Sequence, residues 1–333
     1  MDKRKKIGLV GFFGWGNFGD ELFVQVFEQW LGDDFELKVL NDLTYKPYFS
    51  RSIEEVVEEV DAIVIGGGDL VIPWAMSDLY WRNEYLIKPV FIVGIGVPTW
   101  GERKPHIIER YNKFLAHDNV KYINVRDRES AAWIENNISC SIPVEHSADI
   151  VFSLAMPAKV VSDEKFFGIV TRDRKGAPDD LTEVKRLAIK ALSEGFKVKH
   201  IILGSGDVGR RDLSRANDLD VEDKVIVYSD SLEELCQEIS TCTMLASMKF
   251  HGTVVAINYG IPSIVLSATD KNRNLMRMIE RRELLSSLKD SSLPDRVHPF
   301  VPSIPWTSVR MLRQRAEGTM KKLHGLLSEL PGV

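Results

Sequence analysis

The chain has 333 residues, more than one ordinary core accommodates and about the size of two α/β halves. Hydrophobic residues make up 44% and charged residues 27%, a globular balance rather than a disordered one. The formal net charge of −5 excludes a molecule built to coat nucleic acid, so any anion site must be a local concentration of positive potential.

The start carries Lys3, Arg4, Lys5 and Lys6 before an apolar run over 7–13. That run is short, broken by glycine, and followed by Asn17, Asp20 and Glu21 without a small-residue cleavage pattern, so it reads as a first strand rather than a leader. The strand is expected over 7–11. A glycine-rich loop follows, then a helix from about 21 to 31, with Asp20 as its N-cap and Gly32 as its stop. Residues 35–40 are the second strand. Ser52-Ile53-Glu54-Glu55 is a capping box opening a helix. Short, wholly apolar strands at 62–65 and 90–93 have the pattern of a parallel sheet covered on both faces. A strand at 122–125, a helix through Trp133 and a strand at 144–147 complete the first half.

A polar stretch over 157–164 reads as the linker. A second series of strands is expected at 167–171, 198–203, 225–228, 244–247 and 263–266, with helices between them. Residues 181–193 are amphipathic, and Ser231-Leu232-Glu233-Glu234 is another capping box. A last helix runs from about 308 to 327. The expected architecture is α/β: two Rossmann-like domains with mostly parallel sheets, facing across a cleft. The boundaries are 1–157 for the acceptor side, 158–305 for the donor side, and 306–333 for a helix that returns to the first domain. No stretch is long and apolar enough to span a bilayer. Cys140, Cys236 and Cys242 form no CxxC pair and no metal-ligand spacing, so they read as reduced thiols of a cytoplasmic protein. No metal is expected.

In such sheets ligands bind beyond the carboxyl ends of the strands. The unusual clusters fall at those ends: 11–20, 66–69, 94–96, 126–128, 148–149, 172–174, 204–206 and 247–252. The first loop, Gly14-Trp15-Gly16-Asn17-Phe18-Gly19-Asp20-Glu21, lacks the dinucleotide-binding spacing, and its two carboxylates would repel a pyrophosphate. Asn17 and Asp20 suit sugar hydroxyls better. Gly66-Gly67-Gly68-Asp69 follows a buried strand and reads equally as a crowded turn or a ligand-facing loop. Trp74, Tyr80 and Trp81 could stack on a sugar ring, although a hydrophobic patch is the simpler reading. Lys249-Phe250-His251-Gly252 opens a helix directly after a strand, where the N–H groups and the macrodipole add to a cation and an imidazole. Arg126 and Arg172 each end a strand; ion pairing with Asp127 or Asp173 is as good a reading as anion binding.

The chain resembles the polysaccharide pyruvyl transferase family. The resemblance rests on Gly16-Asn17-Phe18-Gly19-Asp20-Glu21, Gly66-Gly67-Gly68, Gly94-Ile95-Gly96-Val97, Val125-Arg126-Asp127-Arg128-Glu129-Ser130, Ala148-Asp149, Ser247-Met248-Lys249-Phe250-His251-Gly252, Gly260-Ile261-Pro262 and Lys271, in that order. It implies a GT-B-like fold and transfer of pyruvate from phosphoenolpyruvate (PEP), as a ketal, to two hydroxyls of a saccharide or lipid-linked saccharide. PEP would be a co-substrate, with no cofactor besides. The implied donor set is Lys249, Arg172, Arg126 and Gly252. Lysine stands where the family often has arginine, keeping the charge but losing the bidentate fork. The implied catalytic set is His251 as proton donor, with Asp20 or Asp149 acting on the sugar hydroxyl. Gly16, Asn17, Gly67, Gly68 and Asp69 fall to the acceptor side. Membrane contact, if any, would be peripheral. The rival readings are a GT-B glycosyltransferase using a nucleotide sugar and a non-catalytic carbohydrate-binding relative.

Overall fold

The computed structural model describes residues 4–174, 179–298 and 301–331; Lys3 of the basic start lies outside them. The chain forms two compact units. The first takes the described residues of Met1–Gly14, Asp20–Leu154 and Leu312–Val333, the second Trp15–Gly19 and Ala155–Met311.

The first unit contains β1 (Lys6–Val10), α1 (Phe18–Leu31) from Asp20 onward, β2 (Glu36–Val39), α2 (Ile53–Glu58), β3 (Ala62–Gly66), β4 (Val90–Ile95), α3 (Pro105–Leu115), β5 (Val120–Val125), α4 (Arg128–Asn137) and β6 (Val144–His146). Its strands lie in the order β2-β1-β3-β4-β5-β6, and every pairing is parallel. β3 and β4 are buried at each position, which is why they read as unbroken apolar runs instead of alternating ones. Helix α3 brings Ile107, Ile108, Tyr111, Phe114 and Leu115 to this core on a single helical face. Trp81 is buried too, its ring edge-on to both Tyr111 and Phe114, so of the three aromatics near position 80 it is a core residue.

The second unit contains β7 (Phe166–Val170), α5 (Thr182–Ser193), β8 (Lys197–Ile201), α6 (Gly206–Asp218), β9 (Val225–Val227), α7 (Leu232–Ser240), β10 (Cys242–Ser247), α8 (Phe250–Asn258), β11 (Ser263–Val265) and α9 (Asp270–Met278). Its strand order is β11-β10-β7-β8-β9, again all parallel. Both units are thus the Rossmann-like α/β layers expected from the sequence.

The last helix, α10 (Trp306–Ser328), belongs to the first unit from Leu312 onward. There Leu312, Ala316, Met320, Leu323 and Leu327 are fully buried at helical spacing. Thr319 lies within hydrogen-bond reach of Asn124 in β5, and Lys5 in turn donates to the carbonyls of Leu327 and Ser328.

Both capping boxes form their expected bond: Ser52 Oγ accepts from Glu55 N at 3.3 Å and Ser231 Oγ from Glu234 N at 3.2 Å. The expected cap of α1 is corrected. The helix starts at Phe18, so Asp20 sits inside its first turn rather than before it. A carboxylate there still favours the helix through the macrodipole. Among the described residues, no helix is long and apolar enough to cross a membrane, and no cluster of His, Cys, Asp and Glu could hold a metal ion. Burial pushes the Cys236 and Cys242 thiols up to about 12, so neither is a thiolate at neutral pH.

Candidate functional site

In the second unit the turn between β10 and α8 is held by its own residues. Ser247 Oγ accepts from the backbone N–H of Lys249 at 3.1 Å and donates to the Lys249 carbonyl at 2.8 Å. Gly252 is closely packed: a Cβ there would lie 2.7 Å from Ser247 Oγ and 2.8 Å from Leu203, so one of them would have to shift. The N-cap residue of α8, Lys249, makes no side-chain capping bond, and the positive end of the helix dipole lies at this turn.

Lys249 is largely buried and does not simply project. Its Nζ lies 2.5 Å from Asp212 Oδ2 and donates to the Leu203 carbonyl at 2.6 Å. Asp212 comes from the buried face of α6, and its other oxygen accepts from Asp173 N at 2.7 Å. One carboxylate therefore ties the start of α8 to the exit of β7. The exit of β7 carries Arg172, which is exposed and makes no ion pair among the described residues. Surrounding protein and the like charge of Arg174 lower its pKa, while Asp179 and Asp212 pull the other way; the guanidinium stays charged at any working pH. Asp212 went unnoticed in the sequence. Its signal was available: Gly209, Asp212 and Ala216 share the buried face of α6, and a charge on such a face needs a partner.

His251, in the first turn of α8, is half-buried with its ring edge-on to Phe250 at 5.1 Å. The Lys271 ammonium lies 5.3 Å from the centre of the same Phe250 ring. The backbone of Gly19 runs beside the imidazole so closely that a Cβ at Gly19 would sit 1.8 Å from Nδ1. The short segment Trp15–Gly19, which groups with this unit, is joined to it again through β8's exit. Asn17 bridges to Gly204, Gly16 accepts from Ser205 N at 2.9 Å, and a Cβ on Gly16 would meet Ser205 O at 2.5 Å. Gly16 also has φ of +81°, a conformation that favours glycine. Two of the loop's glycines are thus fixed by close packing, and Gly16 and Asn17 lie in the unit that holds Lys249, Arg172 and His251.

The first unit holds the other candidates. Gly67 and Gly68 have φ near +86° and +85°, which accounts for their identity without a ligand. Asp69 pairs with Arg126, whose guanidinium is buried and also 3.9 Å from Asp127. The charge of Asp149 acts on Arg126 as well. Burial lowers the Arg126 pKa, and Asp127 and Asp149 oppose that shift. Gly96 makes room for the group, since a Cβ there would stand 2.4 Å from the guanidinium. Arg126 is therefore committed to carboxylates inside the unit. Asp149 is buried and its Oδ1 accepts from Val151 N at 3.1 Å, opening a 3₁₀ turn; Asp20 is also buried.

Two α/β units, each with an all-parallel sheet, define a GT-B-like fold. The sequence profile described as polysaccharide pyruvyl transferase matches residues 17–270, and the chain belongs to that family. Among solved structures it resembles UDP-GlcNAc 2-epimerase from Neisseria meningitidis bound to UDP-GlcNAc, with a TM-score of 0.54 and 11% identity over 96% of this chain and 99% of that one. It also resembles the Methanocaldococcus jannaschii UDP-GlcNAc 2-epimerase, with a TM-score of 0.53 and 11% identity over 98% and 99%. The S. aureus MnaA–UDP structure gives a TM-score of 0.53 and 10% identity over 98% and 92%. At such identities the likeness concerns the fold alone. Comparison with curated proteins gives no match.

Proposed function

We propose that the chain transfers the pyruvyl group of PEP to two hydroxyls of one sugar residue, acting in the cytoplasm on a cell-surface glycan or its precursor. The observation that carries this reading is the turn at Lys249–His251, which sets an ammonium and an imidazole at a helix start in a member of this family. PEP carries a phosphate and a carboxylate, and a compact site with fixed cations and N–H donors suits it. Arg172, at the end of β7, the strand that pairs with β10, is the guanidinium we assign to add to that field.

The chemistry then follows from the groups. His251, as imidazolium, gives a proton to the methylene carbon of PEP, and C2 becomes cationic. One sugar hydroxyl adds to C2 and gives up its proton to a carboxylate, for which Asp20 and Asp149 are the proposals. Phosphate leaves with the C–O electron pair and takes up the proton held by that carboxylate, the second hydroxyl closes on C2, and its proton returns to the imidazole. One PEP and one diol give one ketal and one phosphate. Lys249 and Arg172 hold the phosphate as its charge grows. Arg126 is assigned to holding the first unit together.

The solved structures bound to UDP or UDP-GlcNAc keep a nucleotide-sugar transferase as the rival reading. Incubation with a glycan panel and either PEP or UDP-sugars separates the two. Phosphate release with a mass gain of one pyruvyl group is expected, and it should fall by at least about 10²-fold in His251→Gln, as for loss of a general acid. UDP release with a hexose mass gain would overturn the proposal.

A further inference from the structure

The first unit contains a polar pocket that none of the reasoning above uses. It is a cavity of about 480 Å³ beyond the carboxyl ends of β1 and β2, walled by Phe13, Val24 and Val39 on its apolar sides and by Glu21, Asn41 and Asp42 on its polar ones. That volume is in the usual range for small-molecule sites. Phe13 takes its place by lying across Gly11, where a Cβ would be 2.1 Å from the ring.

Asn41 is the informative residue. It is only 7% exposed, and its Oδ1 accepts from the backbone N–H of Gly11 at 3.2 Å. Because that N–H can only donate, the atom facing it must be the oxygen, and the orientation of the amide is fixed. Its Nδ2 is then a buried donor group with no acceptor among the described residues. Leaving such a group unsatisfied costs about 1–3 kcal/mol, and a built site for an acceptor oxygen is the usual reason to keep one.

The charges around the pocket say which ligand it suits. Lys38 and Arg51, its two cations, are both engaged by Glu59, whose carboxyl they hold down at about 2. Asp42 accepts from Thr44 N and Thr44 Oγ1, and Glu21 accepts from Gly14 N. Both bonds from Thr44 end on Asp42 Oδ1, which leaves Asp42 Oδ2 as the acceptor for a hydroxyl donor. With its cations neutralised and carboxylates in its wall, the pocket disfavours a phosphate. A buried amide donor, carboxylate acceptors and apolar faces match a neutral ring bearing hydroxyls.

We propose that this pocket binds a neutral saccharide unit of the acceptor, with Asn41 Nδ2 donating to a ring hydroxyl or an N-acetyl carbonyl oxygen. The proposal rests on the acceptor being a glycan. Its test reads binding without turnover, so it stands or falls separately from the use of PEP. The probes are methyl glycosides of galactose, mannose and N-acetylmannosamine, followed by saturation-transfer NMR on the full chain without PEP. At least one should bind. Asn41→Asp keeps the oxygen for Gly11 and turns the donor into an acceptor, so affinity should drop by at least about tenfold, as for a site that loses a hydrogen-bond donor. Val39→Trp, at an exposed position on the pocket rim, should block the same glycoside without touching Asn41, and it decides the matter if Asn41→Asp does not fold. The idea is overturned if no glycoside binds, or if binding survives in whichever of the two variants is folded.

Discussion

At the scale of single residues, the least expected role belongs to a glycine with an ordinary backbone. Gly19 lies within α1, where alanine would normally be accommodated or even preferred. Its Cβ position is nevertheless occupied by the His251 imidazole, 1.8 Å away at Nδ1. Gly19→Ala must therefore displace the ring, and a shift of the order of 1 Å in a reacting group costs roughly 10²-fold in rate. The expected outcome is a fall in kcat of that size, with the thermal midpoint lowered much less than by a core truncation. An unchanged kcat in the folded variant would remove His251 from proton transfer. The same residue explains a limit of sequence reading. Gly16 and Gly19 are readily noticed as glycines of a loop, but what they avoid, Ser205 and His251, lies about two hundred positions away and cannot be read from local pattern.

At the scale of elements, one carboxylate organises three pieces of the second unit. Asp212 in α6 grips Lys249 before α8 and the backbone of Asp173 after β7. Removing Lys249 alone strands a buried charge, so Lys249→Met should destabilise the protein by about 3–5 kcal/mol in urea unfolding. Adding Asp212→Asn, which keeps an oxygen for Asp173 N, should restore most of that loss. PEP dependence then separates the two roles of the lysine. If Lys249 meets the donor phosphate, the KM for PEP stays raised in the double variant although stability returns; recovery of both would make the residue purely structural. The strands themselves were legible because burial on both faces leaves a direct mark: β3 and β4 are continuous apolar runs ended by glycines. The start of α1 was not, because Asp20 has the chemistry of a cap while the chain enters the helix two residues earlier. The sequence leaves Arg126 open to two readings for a related reason: Asp127 is its neighbour in sequence, but Asp69 and Asp149 reach it only through the fold.

At the scale of the whole molecule, the acid limit of stability has an identifiable origin. His200 in β8 is completely buried, with Nε2 2.8 Å from Thr171 Oγ1. Burial foremost, and then the charge of Lys224, push it from about 6.5 down to about 3. The unfolded chain therefore binds a proton below pH 6.5 that the folded chain refuses until pH 3, so stability falls as pH falls through that window. Glu59 behaves differently: its carboxyl is held down at about 2 by Arg51 and Lys38, and its contribution is lost only as pH falls below about 4.5. The interval from 6.5 to 4.5 thus isolates the histidine, with a slope of up to about 1.4 kcal/mol per pH unit. His200→Gln retains a hydrogen-bonding group for Thr171 but cannot take up the proton. Its unfolding free energy, from urea titrations at several pH values, should be flat across that interval while the parent chain loses about 2–3 kcal/mol. Parallel curves for the two proteins would place the acid sensitivity elsewhere. The test also bears on the end of β7, because Thr171 is the residue immediately before Arg172, and a charged His200 would disturb that strand end.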